Sequence, residues 1–321
     1  MPNLQTAATI VLACLSLPAA AQQYPTRPIR MLIPFPAGSA ADIIARAMEP
    51  AMRERLGQAL VIDNRGGAGG NIAAELTAKS PADGYTLLMA TIGTQAINLS
   101  LYSKINYHPQ KDFTTIALVG ESPNAMVLNP TVPAKTVKEF IALAKSKPGV
   151  INYGSSGSGT TVHLSGELFK VMTGINMLHV PYKGASESLT ALISGETDLQ
   201  FASLSSAIPL IKSGRLRALG VTSPIRSPAL PELPTIAELG LPGFAAVAWF
   251  GIVGPAKLPS NVVATIHKVT LATLAQEDVK TRLFNSGVEV RTMGPEEFAK
   301  YTDTEIVKWA KVVKASGARA D

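Results

Sequence analysis

The stretch IRMLIPFPAGSAAD, Ile29 to Asp42, passes from an apolar run through a loop of small residues into a segment with helical spacing. Ile29 to Phe35 suits a strand covered on both faces. Ile43, Ile44, Ala47, Met48, Ala51, Met52 and Leu56 then recur at helical intervals, and Gly57 stops them. A strand that hands over to a helix through a short loop is half of a βαβ unit. The pattern recurs along the chain: strands at Leu60 to Ile62, Thr86 to Ala90, Ile116 to Val119, Ala125 to Leu128, Val150 to Tyr153, Met177 to Val180, Leu199 to Phe201 and Leu216 to Val221 alternate with helices. This is α/β order with a largely parallel sheet.

The 321 residues exceed what one hydrophobic core usually supports, and 46% hydrophobic with 16% charged residues is a globular balance. Two α/β lobes are expected, residues 22–123 with 246–321 forming the first and 124–245 the second. The chain would leave the first lobe near Ser122-Pro123 and return after a proline-rich stretch, Pro224 to Pro242, read as a rigid extended connector outside the core. Two crossings make a hinge, and the cleft between the lobes becomes the default ligand site. Helices near 260–275 and 295–314 complete the first lobe.

Lys+Arg 29 against Asp+Glu 23 gives +6, a mild preference for small anions, and no dense basic run argues for nucleic acid. Residues 1–26 carry no Lys, Arg, Asp or Glu, and Ala19-Ala20-Ala21 before Gln22 reads as an export signal cleaved after Ala21, although MPNLQT lacks the usual basic start. The only cysteine, Cys14, leaves with that leader. The mature chain is thereby expected to lack disulfides, thiolate metal sites and cysteine catalysis.

Ligands of open parallel sheets sit beyond the carboxyl ends of the strands, where free amides at a helix start favour an anion. In the first such loop, Pro34 to Asp42, small residues let a ligand touch the backbone, Ser39 is read as capping the helix or bonding a carboxylate, and Asp42 is assigned to organising the loop through its backbone donors. The alternative is a plain βα turn with a capped helix. Gly154-Ser155-Ser156-Gly157-Ser158-Gly159-Thr160-Thr161 repeats the arrangement in the second lobe, its hydroxyls and amides suited to a carboxylate or a neutral polar group, and His163 in the following turn lines the cleft or is a helix-start or core histidine. Neither nucleotide-binding spacing nor a G-x-S-x-G elbow is present. Arg65 to Asn71 reads as a mobile rim loop or a structural turn, and Thr94 in Ile92-Gly93-Thr94-Gln95 is a weaker candidate of the same kind. Lys183 follows a strand and is a candidate for adding positive charge, with a solvated loop lysine as its alternative. Trp249-Phe250 close the cleft wall or pack in the core. His108, His163, His179 and His267 show no metal-ligand spacing, so no metal and no cofactor are expected. No catalytic constellation emerges; the nearest is Ser156 with His163, which leaves an exported serine hydrolase as an alternative.

The segments YPTRPIRMLIPFPAGSAADIIAR, VIDNRGGAGGNIAAE, DGYTLLM, NYGSSGSGTTVHLSGELF, HVPYKGASESLTALISGETDLQF, PTIAELG, WFGIVGP and KWAKVVKASGA together resemble the Bug (Bordetella uptake gene) family, the extracytoplasmic receptors of tripartite tricarboxylate transporters. The resemblance runs over nearly all of the mature chain. It implies a periplasmic binding protein of type II, a Venus flytrap closing on a small organic anion or polar metabolite, gripped largely by amides and hydroxyls of the two loops, which carries over to Phe35, Ala37, Gly38 and Ser39 in the first lobe and to Ser155, Ser156, Gly159, Thr160 and His163 in the second. It also implies a periplasmic location and the membrane components of such a transporter as partners, without nucleic acid, and a monomer is expected. A ligand-sensing partner of a membrane signalling protein would share the fold. Ala40 and Ala41 stand where many members have Gly or Thr, and Ala202-Ser203 replaces a common Asp-Asn pair. Ser203 is kept as a candidate contact, and the loss of the acidic group favours a simple carboxylate or amide-like compound over an amino-group ligand.

Overall fold

A computed structural model of the chain describes residues 24–320. The expected leader, its cleavage point and Cys14 lie outside those residues. The first strand, β1 (Ile29–Ile33), lies in parallel between β2 (Leu60–Asn64) and β3 (Thr86–Thr91). Helix α1 (Ala40–Leu56) follows β1; Ser39 caps its start by accepting from the Asp42 N–H, and Gly57, in the left-handed region, returns its N–H to Arg53 O. Helix α2 (Asn71–Ala78) follows β2, and a π turn at Gly93–Ile97 follows β3 and runs into the short α3 (Asn98–Leu101).

The centre of the sheet is β4 (Phe113–Leu128). The sequence reads as two strands here, because Gly120 to Asn124 interrupts the apolar run, yet the structure makes one. Its polar residues find partners: Glu121 pairs with Arg291 at 2.6 Å, Ser122 Oγ donates to Gly287 O at 2.9 Å, and the Asn124 N–H donates to Thr222 Oγ1 at 2.9 Å. Phe113 to Pro123 pairs antiparallel with β9 (Val247–Pro255), whereas Asn124 to Leu128 pairs with β7 (Leu199–Ser203) and β8 (Arg217–Val221). The first lobe is therefore β2, β1, β3, β9, the front of β4 and β10 (Glu289–Met293). The second is β8, the back of β4, β7, β5 (Asn152–Ser155) and β6 (Leu178–Pro181). Between strands of the second lobe run α4 (Val137–Ser146), α5 (Thr161–Thr173), α6 (Ala185–Ser194) and α7 (Leu204–Lys212). The tail supplies α8 (Ser260–Leu274), α9 (Glu277–Asn285) and α10 (Pro295–Ser316). Neither α9 nor β10 is evident in the sequence, because the periodic segments there are short and half polar.

The proline-rich return departs from expectation. Leu230, Leu233 and Ile236 are buried, and the segment exchanges hydrogen bonds with β8, Val221 N–H to Pro234 O and Ile236 N–H to Val221 O, both at 2.9 Å. Proline fixes the backbone, but each intervening aliphatic side chain gains about 1.5–3 kcal/mol by leaving water, so the stretch folds back as part of the core.

Gly251, in the middle of β9, leaves no room for a side chain: a Cβ would lie 2.4 Å from Phe298 Cζ and 2.9 Å from Ala117 O. Gly251→Ala is expected to lower stability by about 1–3 kcal/mol, read as a fall in the urea midpoint with an unchanged far-ultraviolet dichroism spectrum. An unchanged midpoint would mean that Phe298 moves aside freely.

Candidate functional site

Five strand-to-helix junctions face one another across the lobes and line a cavity of about 830 Å³. From the first lobe come Phe35, Ser39, Ala40 and Ala41 after β1, Gly69 before α2, Thr91, Ile92 and Gly93 after β3, then Ile97, Asn98, Leu101 and Tyr102, with Ala248, Trp249 and Phe250 of β9 as one wall. From the second come Ser156, Ser158, Gly159, Thr160 and Thr161 after β5, and Gly184 and Ala185 after β6.

The loop after β1 is shaped by Asp42, which is 2% exposed and points back under it. Its carboxylate accepts from Gly38 N–H at 2.9 Å, Arg46 Nε at 3.0 Å and Asn64 Nδ2 at 3.0 Å, and the same Asn64 amide donates to Phe35 O at 3.0 Å. Burial alone would push this carboxyl up, but the bonds from Arg46, Gly38 and Asn64 outweigh it and hold the group below the usual range. The acid is thus ionised and satisfied behind the loop, and adds no bare negative charge to the cavity.

The loop after β5 has an equivalent support made of neutral groups. Thr160 caps α5, its Oγ1 accepting from His163 N–H at 3.3 Å and donating to Gly157 O at 2.8 Å. His163 Nδ1 accepts from Gly159 N–H at 3.0 Å, and Ser155 Oγ lies 2.7 Å from His179 Nε2. The two imidazoles stack with centroids 3.9 Å apart, and Tyr153 stacks on His179 at 5.0 Å. Burial pushes both histidines down to about 4, and the adjacent imidazole adds to this at His179. Gly159, at φ +79°, approaches the other lobe so closely that a Cβ would meet Leu101 Cδ2 at 2.4 Å.

No lining side chain is charged. What faces the cavity instead is the amino end of α1, α5 and α6, which begin at Ala40, Thr161 and Ala185. The unpaired N–H groups of a helix start and its dipole together attract an anion. Chemically the arrangement can solvate a carboxylate with amides and hydroxyls at the loops while an apolar body rests against Ile92, Trp249 and Phe250.

Of the residues singled out in the sequence, Phe35, Ser39, Ser156, Gly159 and Thr160 meet at this cavity. Ala37 and Gly38 are exposed in the same loop and do not line the cavity, and Asp42, Ser155 and His163 sit behind the loops as supports. Thr94 is wholly buried, its Oγ1 donating to Thr91 O at 3.1 Å, because the π turn directs it into the core. Lys183 is exposed and its N–H bonds Glu187 at 3.2 Å, so that loop reaches the cavity through Gly184 and Ala185 rather than through a charge. Ser203 bonds Ser205 at 3.1 Å, away from the cavity. The loop Arg65 to Asn71 is exposed from Arg65 to Gly69 and buried at Gly70 and Asn71, and it reaches the cavity through Gly69, which at φ +62° leaves no space against the Tyr102 hydroxyl, 2.6 Å from where a Cβ would be. Ser156 is not paired with His163, whose Nδ1 takes the Gly159 N–H and whose Nε2 faces Glu167 at 3.8 Å. Asn98, Tyr102, Ser158, Thr161, Gly184 and Ala185 escaped sequence reading. For Ser158, Thr161 and Ala185 the signal was available in the small residues flanking a helix start; Asn98 and Tyr102 arrive only through tertiary packing.

The profile of the family described as tripartite tricarboxylate transporter family receptor matches residues 44–318. The protein BugT of Bordetella pertussis is 34% identical over 311 residues, 97% of this chain and 95% of BugT. Among solved structures, R. palustris Rpa4515 with adipate is similar at a TM-score of 0.77 with 37% identity, over 92% of this chain and 99% of that one. MatC (Rpa3494) from Rhodopseudomonas palustris with bound malate is similar at 0.73 with 32% identity, over 90% and 100%.

The histidine pair sets a pH dependence whose sign follows from linkage. Both groups bind protons less readily in the folded chain, at about 4, than an unfolded histidine at about 6.5. The unfolded state therefore holds extra protons between those values, and stability falls as pH drops from about 6.5 to about 4. Denaturation midpoints followed across this range are expected to fall, and to fall less steeply in His179→Gln. Equal slopes in both proteins would remove the histidines as the cause.

Proposed function

The chain belongs to the tripartite tricarboxylate transporter receptor family, and on that premise we propose that it captures a small organic acid in the cleft through helix-start amides and hydroxyls, without a charged side chain. It is a solute-binding receptor of a family whose members are periplasmic. The observation that carries the reading of the site is the convergence of the α1, α5 and α6 starts on one uncharged cavity. Phe35, Ser39, Ser156, Gly159 and Thr160 would contact the ligand, and Asp42, Ser155 and His163 would hold their loops in place. Adipate bound to Rpa4515 and malate bound to MatC support a dicarboxylate of this size range.

The division into residues 22–123 with 246–321, and 124–245, is supported by the change of partners in β4 between Pro123 and Asn124. On the return, Ala246 N–H bonds Thr222 O in the second lobe and Val247 pairs with Pro123 in the first. Closure would bend the chain at these two crossings, bury the ligand between the loops and present the closed surface to the membrane components of the transporter. The ligand would be released unchanged. Ser155, the serine bonded to a histidine, is wholly buried and has no route to a substrate.

Binding to the folded state alone stabilises it by about 2.7 kcal/mol at a hundredfold excess over Kd. Adipate, malate and longer or aromatic dicarboxylates are expected to raise the melting temperature, with calorimetry giving one site per chain. Ser156→Asp, which places a like charge beside the bound carboxylate, is expected to weaken binding by roughly tenfold or more. Absence of any shift across the whole acid series, or an unaffected Ser156→Asp, would overturn the assignment.

A further inference from the structure

Both tryptophans of the chain donate to one buried carboxylate. Glu305, on α10 and 4% exposed, accepts from Trp249 Nε1 at 3.2 Å and from Trp309 Nε1 at 2.9 Å through Oε2. Its other oxygen takes the Lys308 ammonium, and that ammonium also donates to Ala245 O at 3.0 Å. The two ends of this network are different places. Trp249, wholly buried against Phe298 and Tyr301, adjoins the ligand cavity between Ala248 and Phe250, whereas Ala245 lies in the segment that returns from the second lobe. Helix α10 itself packs against α5, the helix whose start faces the cavity from the second lobe.

A carboxylate that is hydrogen-bonded on both oxygens in a buried setting is rigidly placed, and the groups bonded to it are placed by it. We propose that Glu305 is a positioning residue that couples the ligand wall to the hinge: one oxygen fixes the buried indole of Trp249 behind the wall that Ala248 and Phe250 form, and the other, through Lys308, fixes the returning chain at Ala245. A shift of Trp249 on ligand binding would then be transmitted to the crossing through one side chain, and movement of the crossing would return to the wall. Core filling alone needs neither the charge nor the link to Ala245.

The proposal is separable from the receptor reading because its first test uses no ligand. Hydrogen exchange of the full chain is compared between wild type, Glu305→Gln and Lys308→Met, and tryptophan emission is recorded in a Trp309→Phe background, which leaves Trp249 as the sole reporter. Lys308→Met removes the arm to Ala245 together with the ion pair to Glu305 but keeps the bond from Trp249 to Oε2, and it is expected to speed exchange over residues 245–247 by roughly tenfold with the Trp249 emission unchanged. Glu305→Gln leaves one acceptor for two indoles and no ion pair, and is expected to speed the same amides and also move the Trp249 emission. Peptides covering β1 and β2 should exchange at the wild-type rate in both. Faster exchange everywhere, or no change over 245–247 in Lys308→Met, would overturn the coupling and leave Glu305 a core residue. Adipate provides the second readout: if it binds the wild type, both variants are expected to weaken it by roughly threefold to tenfold, and unchanged affinity would also overturn the proposal. If adipate fails to bind the wild type, the ligand class proposed above is at fault, and the exchange comparison decides this inference alone.

Discussion

Backbone hydrogen bonding along the single strand β4 holds both halves of the molecule, because its front pairs with β9 and β10 and its back with β7 and β8. The exchange of partners occurs at Pro123, a residue with no N–H to donate. A strand can bend there without breaking a ladder bond. Glu121 and Ser122 just before it are tied to Arg291 and to Gly287 O, so the front of the strand is anchored up to the point of change. The position of every loop around the cavity follows, since each is the end of a strand whose register is set by β4 through the strands between them.

Given that frame, the recognition proposed for the cleft would be done with partial charges. Full charges are present nearby but are turned away: Asp42 is consumed by Arg46, Asn64 and Gly38, and the imidazoles of His163 and His179 are kept neutral by burial. The loops that result are stiff although they consist of small residues. Their stiffness comes from side chains beneath them, while their small surface residues let a ligand reach the backbone.

Much of this is legible in the sequence. The strand, small-residue loop and helix succession is a local signal, and it places Ser39, Ser156, Gly159 and Thr160 at the carboxyl ends of strands before any tertiary information is used. What local patterning misses is set by distant partners. Glu121 to Asn124 breaks the apolar run of β4, and only Arg291, Gly287 and Thr222, all far along the chain, turn that break into strand. Lys183 carries the charge that an anion site would suggest, but the backbone at Gly184 reaches the cavity instead. Leu230, Leu233 and Ile236 read as part of a proline-rich connector, although their burial is decided by the face of β8 they meet. Thr94 belongs to a π turn, a geometry without a periodic signature of its own.

A cavity wall made of amides, hydroxyls and apolar side chains has one more consequence, which concerns the medium rather than the ligand. Attraction between exposed full charges is screened over about 8–10 Å at ordinary ionic strength, whereas contacts from enclosed N–H groups act at hydrogen-bond range with no ions between. A receptor that binds as proposed would lose less of its grip to added salt than one that relies on exposed full charges. For a family whose members are periplasmic, such a cleft would make uptake depend more on the concentration of the acid than on the salt that comes with it.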